Sequence, residues 1–329
     1  MSDPHVLILT GVGDAHAERV ADLLTGRGAR VTVFDPADFP VSAAVELRHG
    51  AGAGGRRLRL GPESTLDLDE LTALWWRRPS LPSPHPELTD PAVAAYSAQE
   101  CQTLLTGLWE GLTCRRQLPA RESVFRRAGH KSLQLAQAAA LGFALPDTVI
   151  TTDPEAFLDF HDRHDGRIVT KPLHVPFVDG VGGDLYVQRL CDPVSPRDVA
   201  YAGGLRFCPV IVQEYVPKRV ELRVTVVARR VFAAEIHSQR TNRTGLDWRR
   251  YDTARTPHRP HELPGEVAAR CLALMDCLDL AYGAIDLIVT PEGRHVFLEI
   301  NPNGQWLWIE DLTGLPISRA ICDYLLDGG

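Results

Sequence analysis

Three oxygen-bearing side chains stand close together near the end of the chain. Asp286, Glu299 and Asn301 occur in Tyr282-Gly-Ala-Ile-Asp286-Leu-Ile-Val-Thr-Pro-Glu-Gly293-Arg-His-Val-Phe-Leu-Glu299-Ile-Asn301. Two apolar runs flank Thr290-Pro291-Glu292-Gly293, the composition of a hairpin turn. If that turn pairs Val289 with Arg294, Asp286 stands opposite Phe297. Phe297, Glu299 and Asn301 then share its face, because side chains in a strand alternate with period two. Burying two carboxylates side by side is costly unless a cation compensates them. Hard oxygen ligands suit Mg²⁺, which completes its shell from water and nucleotide phosphates. The competing reading is a solvated sheet face on which each carboxylate meets its own arginine.

Other residues gain meaning beside this trio. Lys131 opens a helix and Lys171 closes an apolar strand, positions from which a cation can reach phosphate; alone, each is an ordinary surface charge. Asp179-Gly-Val-Gly-Gly-Asp184 is a glycine-rich loop whose amides could cover phosphates, or a plain hairpin turn. Ile211-Val-Gln213-Glu214-Tyr215-Val216-Pro217 runs from a strand into a proline, which leaves main-chain groups for a base edge to meet, or is an edge-strand exit. In Glu221-Leu-Arg223-Val-Thr225, alternation puts Glu221, Arg223 and Thr225 on one face and Leu222 and Val224 in the core. That face could hold a ribose hydroxyl and a transferring phosphoryl group, or carry an exposed Glu-Arg pair. Arg240 and Asp247-Trp248-Arg249-Arg250-Tyr251-Asp252 suit an acidic substrate or a solvated loop. His258 and His261 have ligand-like spacing, but the intervening proline and the missing third ligand favour a loop.

The elements that must position these groups follow from periodicity. A strand over residues 5–10, a helix over 15–27 closed by Gly28, and a strand over 30–34 make a βαβ start. Gly11-Val12-Gly13-Asp14 lacks the third glycine of a dinucleotide fingerprint and reads as a tight turn. A hairpin near 50–60, a strand over 71–78, a proline-rich connection over 79–91 and a long helix over 92–113 complete a first lobe ending near Pro119. Arg126-Arg127-Ala128-Gly129-His130-Lys131 reads as a basic turn leading into a helix over 132–141 stopped by Gly142. Strands over 148–151 and 167–171 flank a helix for which Asp153-Pro154 supplies the cap. Strands over 210–215, 221–227, 231–238, 282–290 and 295–300, interrupted by a helix over 264–278, indicate an antiparallel sheet sharing its core with helices. The division expected is 1–119, 120–209 and 210–329 in an α/β (α+β) chain.

At 329 residues, with 44% hydrophobic and 23% charged residues, the chain is an ordinary globular composition. A net charge of -7 gives no general electrostatic reason to bind nucleic acid, although Arg77-Arg78 and Arg249-Arg250 form local basic pairs. Seven scattered cysteines without a CxxC pair argue against a disulfide framework and a thiolate zinc site. The amino terminus carries no signal-like segment and no apolar run approaches about 18 residues, so a cytoplasmic protein outside the membrane is expected.

Taken together, the motifs resemble the ATP-grasp superfamily, and more closely the microviridin-type ATP-grasp peptide ligases that make graspetides. The likeness is carried by Ala-Asp-Phe-Pro40, Trp75-Trp-Arg-Arg-Pro79, His130-Lys131, Lys171-Pro172, Gln213-Glu-Tyr-Val216, Glu221-Leu-Arg223, Asp247-Trp-Arg249, Tyr282-Gly-Ala-Ile-Asp286 and Leu298-Glu-Ile-Asn-Pro-Asn-Gly-Gln-Trp306. The resemblance implies an ATP-grasp fold of three lobes, the first a pre-ATP-grasp βαβ domain, with the nucleotide site between the central and C-terminal lobes. It implies phosphate contacts for Lys131 and Lys171, adenine contacts for Gln213, Glu214, Tyr215 and Val216, a ribose contact for Glu221 and two Mg²⁺ ions at Asp286, Glu299 and Asn301. Arg223 and Arg240 would stabilise the γ-phosphoryl group and an acyl phosphate. Asp or Glu side chains of a precursor peptide, comprising leader and acidic core, would be phosphorylated and then attacked by an amine or hydroxyl to close macrocyclic amides or esters. A possible homodimer is a further implication. The alternatives are an amino-acid or glutamate ligase acting on a small molecule or a protein terminus, and a non-catalytic ATP- or peptide-binding module.

Overall fold

The computed structural model describes residues 3–50, 54–62, 64–173, 177–178, 187–188, 191–240 and 256–327. Strands His5–Thr10, Arg30–Phe34, Ala73–Arg78 and Arg116–Leu118 form one parallel sheet. Helix Ala15–Thr25 makes the crossover, and the Asp14 carboxylate caps it by accepting from the His16 and Ala17 amides at 2.9 and 3.0 Å. The helix stops two residues before Arg27, and Gly28 takes φ +82° to turn the chain into the next strand. A separate antiparallel sheet, Ala43–Arg48, Gly55–Leu60 and Thr65–Asp67, covers this lobe. Helix Pro91–Glu110 begins at the proline itself, with Asp90 as its cap.

Two further sheets frame the candidate site. Strands Asp192–Pro193, Ile168–Lys171, Val210–Glu214 and Thr148–Thr151 form an antiparallel sheet against helix Pro154–Arg163. Val210–Glu214 falls after the expected division at 209/210, yet its hydrogen bonds run to the two central-lobe strands on either side. The second sheet has five antiparallel strands in the order His258–His261, Arg230–Ile236, Val220–Val227, Tyr282–Val289 and His295–Asn301. Helix Gly265–Leu278 and the short helices Glu122–Ala128 and Lys131–Ala140 pack Ala128, Ala138, Leu274 and Met275 against Val224, Ile285 and Phe297. Across the sheet, Val227, Ala234 and Tyr282 meet Trp75, Trp306 and the C-terminal helix Ile317–Asp327. Both middle strands are therefore buried along their whole length.

Four expectations change for physical reasons. Arg126 and Arg127 belong to helix Glu122–Ala128 rather than to a basic turn; Arg126 Nε donates to Glu122 Oε1 at 2.6 Å, an i,i+4 contact that supports the helix. His258–His261 is an edge strand rather than a loop, since an edge position tolerates Pro260, and His261 Nδ1 lies 2.8 Å from Glu235 Oε1. Glu221, Arg223 and Thr225 are 5%, 4% and 0% exposed, so alternation there separates two buried faces and no exposed Glu-Arg pair exists. The hairpin pairs Val289 with His295, and the register shifts between Asp286 and Leu287, so that Asp286 faces Glu299 and Leu287 faces Phe297. This bulge sends Phe297 into the core and leaves Glu299 and Asn301 on the face of Asp286.

Candidate active site

The bulged hairpin brings the three oxygen-bearing groups into contact. Asn301 Nδ2 lies 3.3 Å from Asp286 Oδ2 and 3.2 Å from Glu299 Oε1. Arg223, paired in register with Asp286, donates through Nη1 to both carboxylate oxygens at 3.0 and 2.9 Å. Its Nη2 donates to the Gln305 carbonyl at 3.1 Å. Lys131, the first residue of its helix, places Nζ 2.8 Å from Glu299 Oε2. The compensating cations inferred from the sequence are thus present in the protein itself, as Arg223 and Lys131. Charge burial alone does not demand a metal here.

Whether the residues suit Mg²⁺ rests on their chemistry. Two carboxylates and a carboxamide oxygen are all hard donors, and a short set of this kind suits an ion that keeps water and phosphate ligands. Among the described residues no cluster of three His, Cys, Asp or Glu forms a closed metal cage. The set fits an ion held jointly with a phosphorylated ligand.

A cleft opens from this cluster between the two sheets. Lys171, Gln213, Glu214, Tyr215, Val216, Glu221, Asp286 and Glu299 all line it. Val169, Ile288 and Leu298 give it apolar walls, a character suited to a flat ring beside polar groups. The segment through Val216 is set by its neighbours: the Glu214 amide donates to the Asp147 carbonyl at 3.0 Å and the Tyr215 amide to the Arg167 carbonyl at 2.8 Å. The Gln213 amide donates to Thr148 Oγ1 at 2.9 Å, so its side chain braces the sheet.

Several contributors escaped the sequence reading. Lys218 lines the cleft with its ammonium 2.7 Å from Glu221 Oε1, and the Ser238 hydroxyl donates to the same oxygen at 2.6 Å. The spacing of Lys218 and Glu221 gives no signal, since residues three apart meet on a helix and these lie in and before a strand. Gln134, buried at 1% exposure, donates to the Ala128 and Ile300 carbonyls and accepts from the Ile300 amide, clamping the strand between Glu299 and Asn301. Gly304 lies so near the cluster that a Cβ would come 2.6 Å from Arg223 Nη2. The Tyr282 hydroxyl donates to the Gly304 carbonyl at 2.7 Å, and burial pushes that phenol well above its usual range. Arg240 ends the short turn Ser238–Arg240, and its side chain lies outside the described residues. So do the glycine-rich loop 179–184 and the polar stretch 247–252.

Comparison with known proteins agrees with this architecture. The family described as MvdD pre-ATP grasp domain matches residues 5–124. The macrocyclase MdnC from Microcystis aeruginosa MRC, solved with precursor peptide MdnA, is 31% identical, with a TM-score of 0.87 over 99% of this chain and 100% of that one. A RiPP-associated ATP-grasp ligase from Chryseobacterium gregarium, solved with ADP and a leader and core peptide, is 29% identical, with a TM-score of 0.89 over 99% of this chain and 97% of its own. The macrocyclase MdnB from Microcystis aeruginosa MRC is 30% identical, with a TM-score of 0.81 over 99% and 100%. No curated protein matches the chain by sequence. The fold is the ATP-grasp architecture, and the protein is a ligase of that class. The chain belongs to the graspetide-type ATP-grasp ligases. No helix among the described residues is long and apolar enough to cross a membrane.

Proposed function

We propose that the chain uses Mg·ATP to phosphorylate Asp or Glu side chains of a ribosomal precursor peptide and closes macrocyclic amide or ester links. The observation that carries this reading is the meeting of the apolar-walled cleft, lined by Lys171, Glu214 and Glu221, with the cluster of Asp286, Glu299 and Asn301. The relatives solved with precursor, leader and core peptides, and with ADP, support the same substrates here.

In this reading the main chain of Glu214 to Val216 meets the adenine and Gln213 braces it, while Glu221, held by Lys218 and Ser238, meets the ribose. Lys131 and Lys171 face the phosphates. Asp286, Glu299 and Asn301 would hold Mg²⁺, which screens the phosphate charge when bound. Arg223, and Arg240 with it, stabilises the charge that develops on the transferring group. A substrate carboxylate oxygen attacks the γ-phosphorus and the bond to the bridging oxygen breaks, releasing ADP. An amine or hydroxyl of the same peptide then attacks the acyl carbon, loses its proton and expels phosphate. Activation is required because a carboxylate is a poor acyl donor, and no protein nucleophile enters the balance. We set the lobes at 1–119, 120–209 and 210–329, with the strand Val210–Glu214 contributed to the central sheet.

Incubation with a precursor peptide made of a leader and an Asp- and Glu-bearing core, together with Mg·ATP, followed by mass spectrometry, tests the reading. Each bond closed is expected to remove one water, about 18 Da, with stoichiometric ADP. An unchanged peptide mass with ATP bound would overturn it. ADP formation driven by a free amino acid instead would favour a small-molecule ligase.

A further inference from the structure

We propose that Arg78, with Arg77 behind it, forms a subsite in the N-terminal lobe that receives the acidic side chain to be activated; the inference rests on the ligase reading above. The two arginines end strand Ala73–Arg78 beside the loop that follows Asn301. Asn303 donates through Nδ2 to the Arg77 carbonyl, which docks that loop on the lobe. The Arg77 side chain is 1% exposed, and its Nε lies 3.2 Å from Asp14 Oδ2. Its Nη1 and Nη2 are buried with no hydrogen-bond partner among the described residues.

Arg78 is exposed, and no carboxylate among the described residues lies within ion-pair distance of it. It is nonetheless held in place. The Gln305 carboxamide, oriented from its hydrogen-bond network with the oxygen toward Arg78, accepts from Nη1 and Nη2 at 2.9 and 3.0 Å. The carbonyl of the same Gln305 accepts from Arg223 Nη2 at 3.1 Å. One neutral residue therefore spaces two guanidinium groups.

The charges around them are unequal. Arg223 is matched by Asp286, and Arg77 by Asp14, whereas among the described residues the Arg78 side chain meets only an uncharged amide. A chain of net charge -7 thus keeps a surplus cation beside its phosphoryl-transfer cluster. The reaction needs one there: the attacking carboxylate is an anion that must approach an anionic nucleotide, and a fixed cation offsets the repulsion. The planar fork of a guanidinium suits a carboxylate, and its remaining N–H groups face solvent. Holding Arg78 by an amide rather than an acid orients it without cancelling its charge.

The test compares binding of two peptides to the full-length protein with ADP and Mg²⁺ present: a precursor peptide of leader plus Asp- and Glu-bearing core, and the same peptide with every core Asp and Glu changed to Asn and Gln. Wild-type protein is expected to prefer the acidic peptide about tenfold, the scale of one charge-assisted hydrogen-bonded pair. Arg78→Gln should bring that ratio to about one while affinity for the amide peptide and for ADP stays as in wild type, and Arg78→Lys should keep part of the preference. An unchanged ratio in Arg78→Gln, equal weakening of both peptides, or no preference in wild type would overturn the proposal. The titration needs no turnover. Loss of the ligase reading would show separately, as an unmodified peptide mass with wild-type protein and ATP.

Discussion

Neutralising Asp286 measures how far the site depends on its internal ion pair. Arg223 Nη1 donates to both carboxylate oxygens at 3.0 and 2.9 Å, and the two side chains are only 4% and 12% exposed. Removing one member of a buried pair costs about 3–5 kcal/mol, because the other charge is left uncompensated. Asn at this position retains one acceptor, and Arg223 retains the Gln305 carbonyl. Asp286→Asn is therefore expected to lose about 2 kcal/mol of stability, below the full deletion cost. Arg223→Met removes the cation instead and leaves Asp286 with the Asn301 amide at 3.3 Å as a donor. The double variant contains neither charge, so its loss should fall short of the sum of the singles by about 1–3 kcal/mol. Urea denaturation at neutral pH measures all three. On the proposed function, peptide-dependent ADP release should be lost in each, since no variant keeps both the Asp286 carboxylate and the Arg223 guanidinium. Strict additivity, within about 0.5 kcal/mol, would refute the claim that the pair acts as a unit.

Three more outcomes follow from the geometry. Gly304→Ala forces a methyl to within 2.5 Å of the Ala284 Cβ and 2.6 Å of Arg223 Nη2; steady-state kinetics should show turnover reduced about a hundredfold or more, and thermal unfolding a loss of about 1–3 kcal/mol, while wild-type turnover would contradict the packing. Gln134→Leu strands the Ala128 and Ile300 carbonyls and the Ile300 amide, and should cost about 2–3 kcal/mol in urea denaturation together with a higher Mg²⁺ concentration for half-maximal activity; an unaltered midpoint would rule out the clamp. Burial, and Arg77 beside it, brings the His16 imidazole from 6.5 down to about 4, so it is neutral in the fold and takes up a proton on unfolding. Its contribution to stability is complete above pH 6.5 and lost as pH falls toward 4; His16→Phe, which keeps an edge-on ring against Trp306, should flatten unfolding curves over that window, and an unchanged slope would count against the reading.

The parts of the chain that declared themselves were those where local pattern decides. The βαβ start was legible because Asp14, Gly28 and two apolar runs are local signals, and the hairpin around Thr290-Pro291-Glu292-Gly293 for the same reason. Residues 282–289 gave no alternation to read, because helices cover one face and the N-terminal lobe the other. The source of charge compensation was hidden as well. Pairing Arg223 with Asp286 requires knowing that two distant strands are neighbours, and Lys131 reaches Glu299 only once its helix packs on the same sheet. Gln134 carries no motif at all; its role exists only in the tertiary structure.

The shifted register beside Asp286 has a consequence for how densely a strand can be read. A regular strand offers one cleft every second side chain, so an oily neighbour and a charged one on the same surface must be two residues apart. Here consecutive residues, Leu298 and Glu299, both line the cleft, while Phe297 remains in the core. Leu298 joins the apolar patch of Val216, Ile288 and Val296, and Glu299 joins the ion cluster. A single inserted residue thus creates the seam at which an apolar surface gives way to a charged one. Single-residue insertions or deletions at this seam will change which chemistry borders which, even where every other strand position is kept.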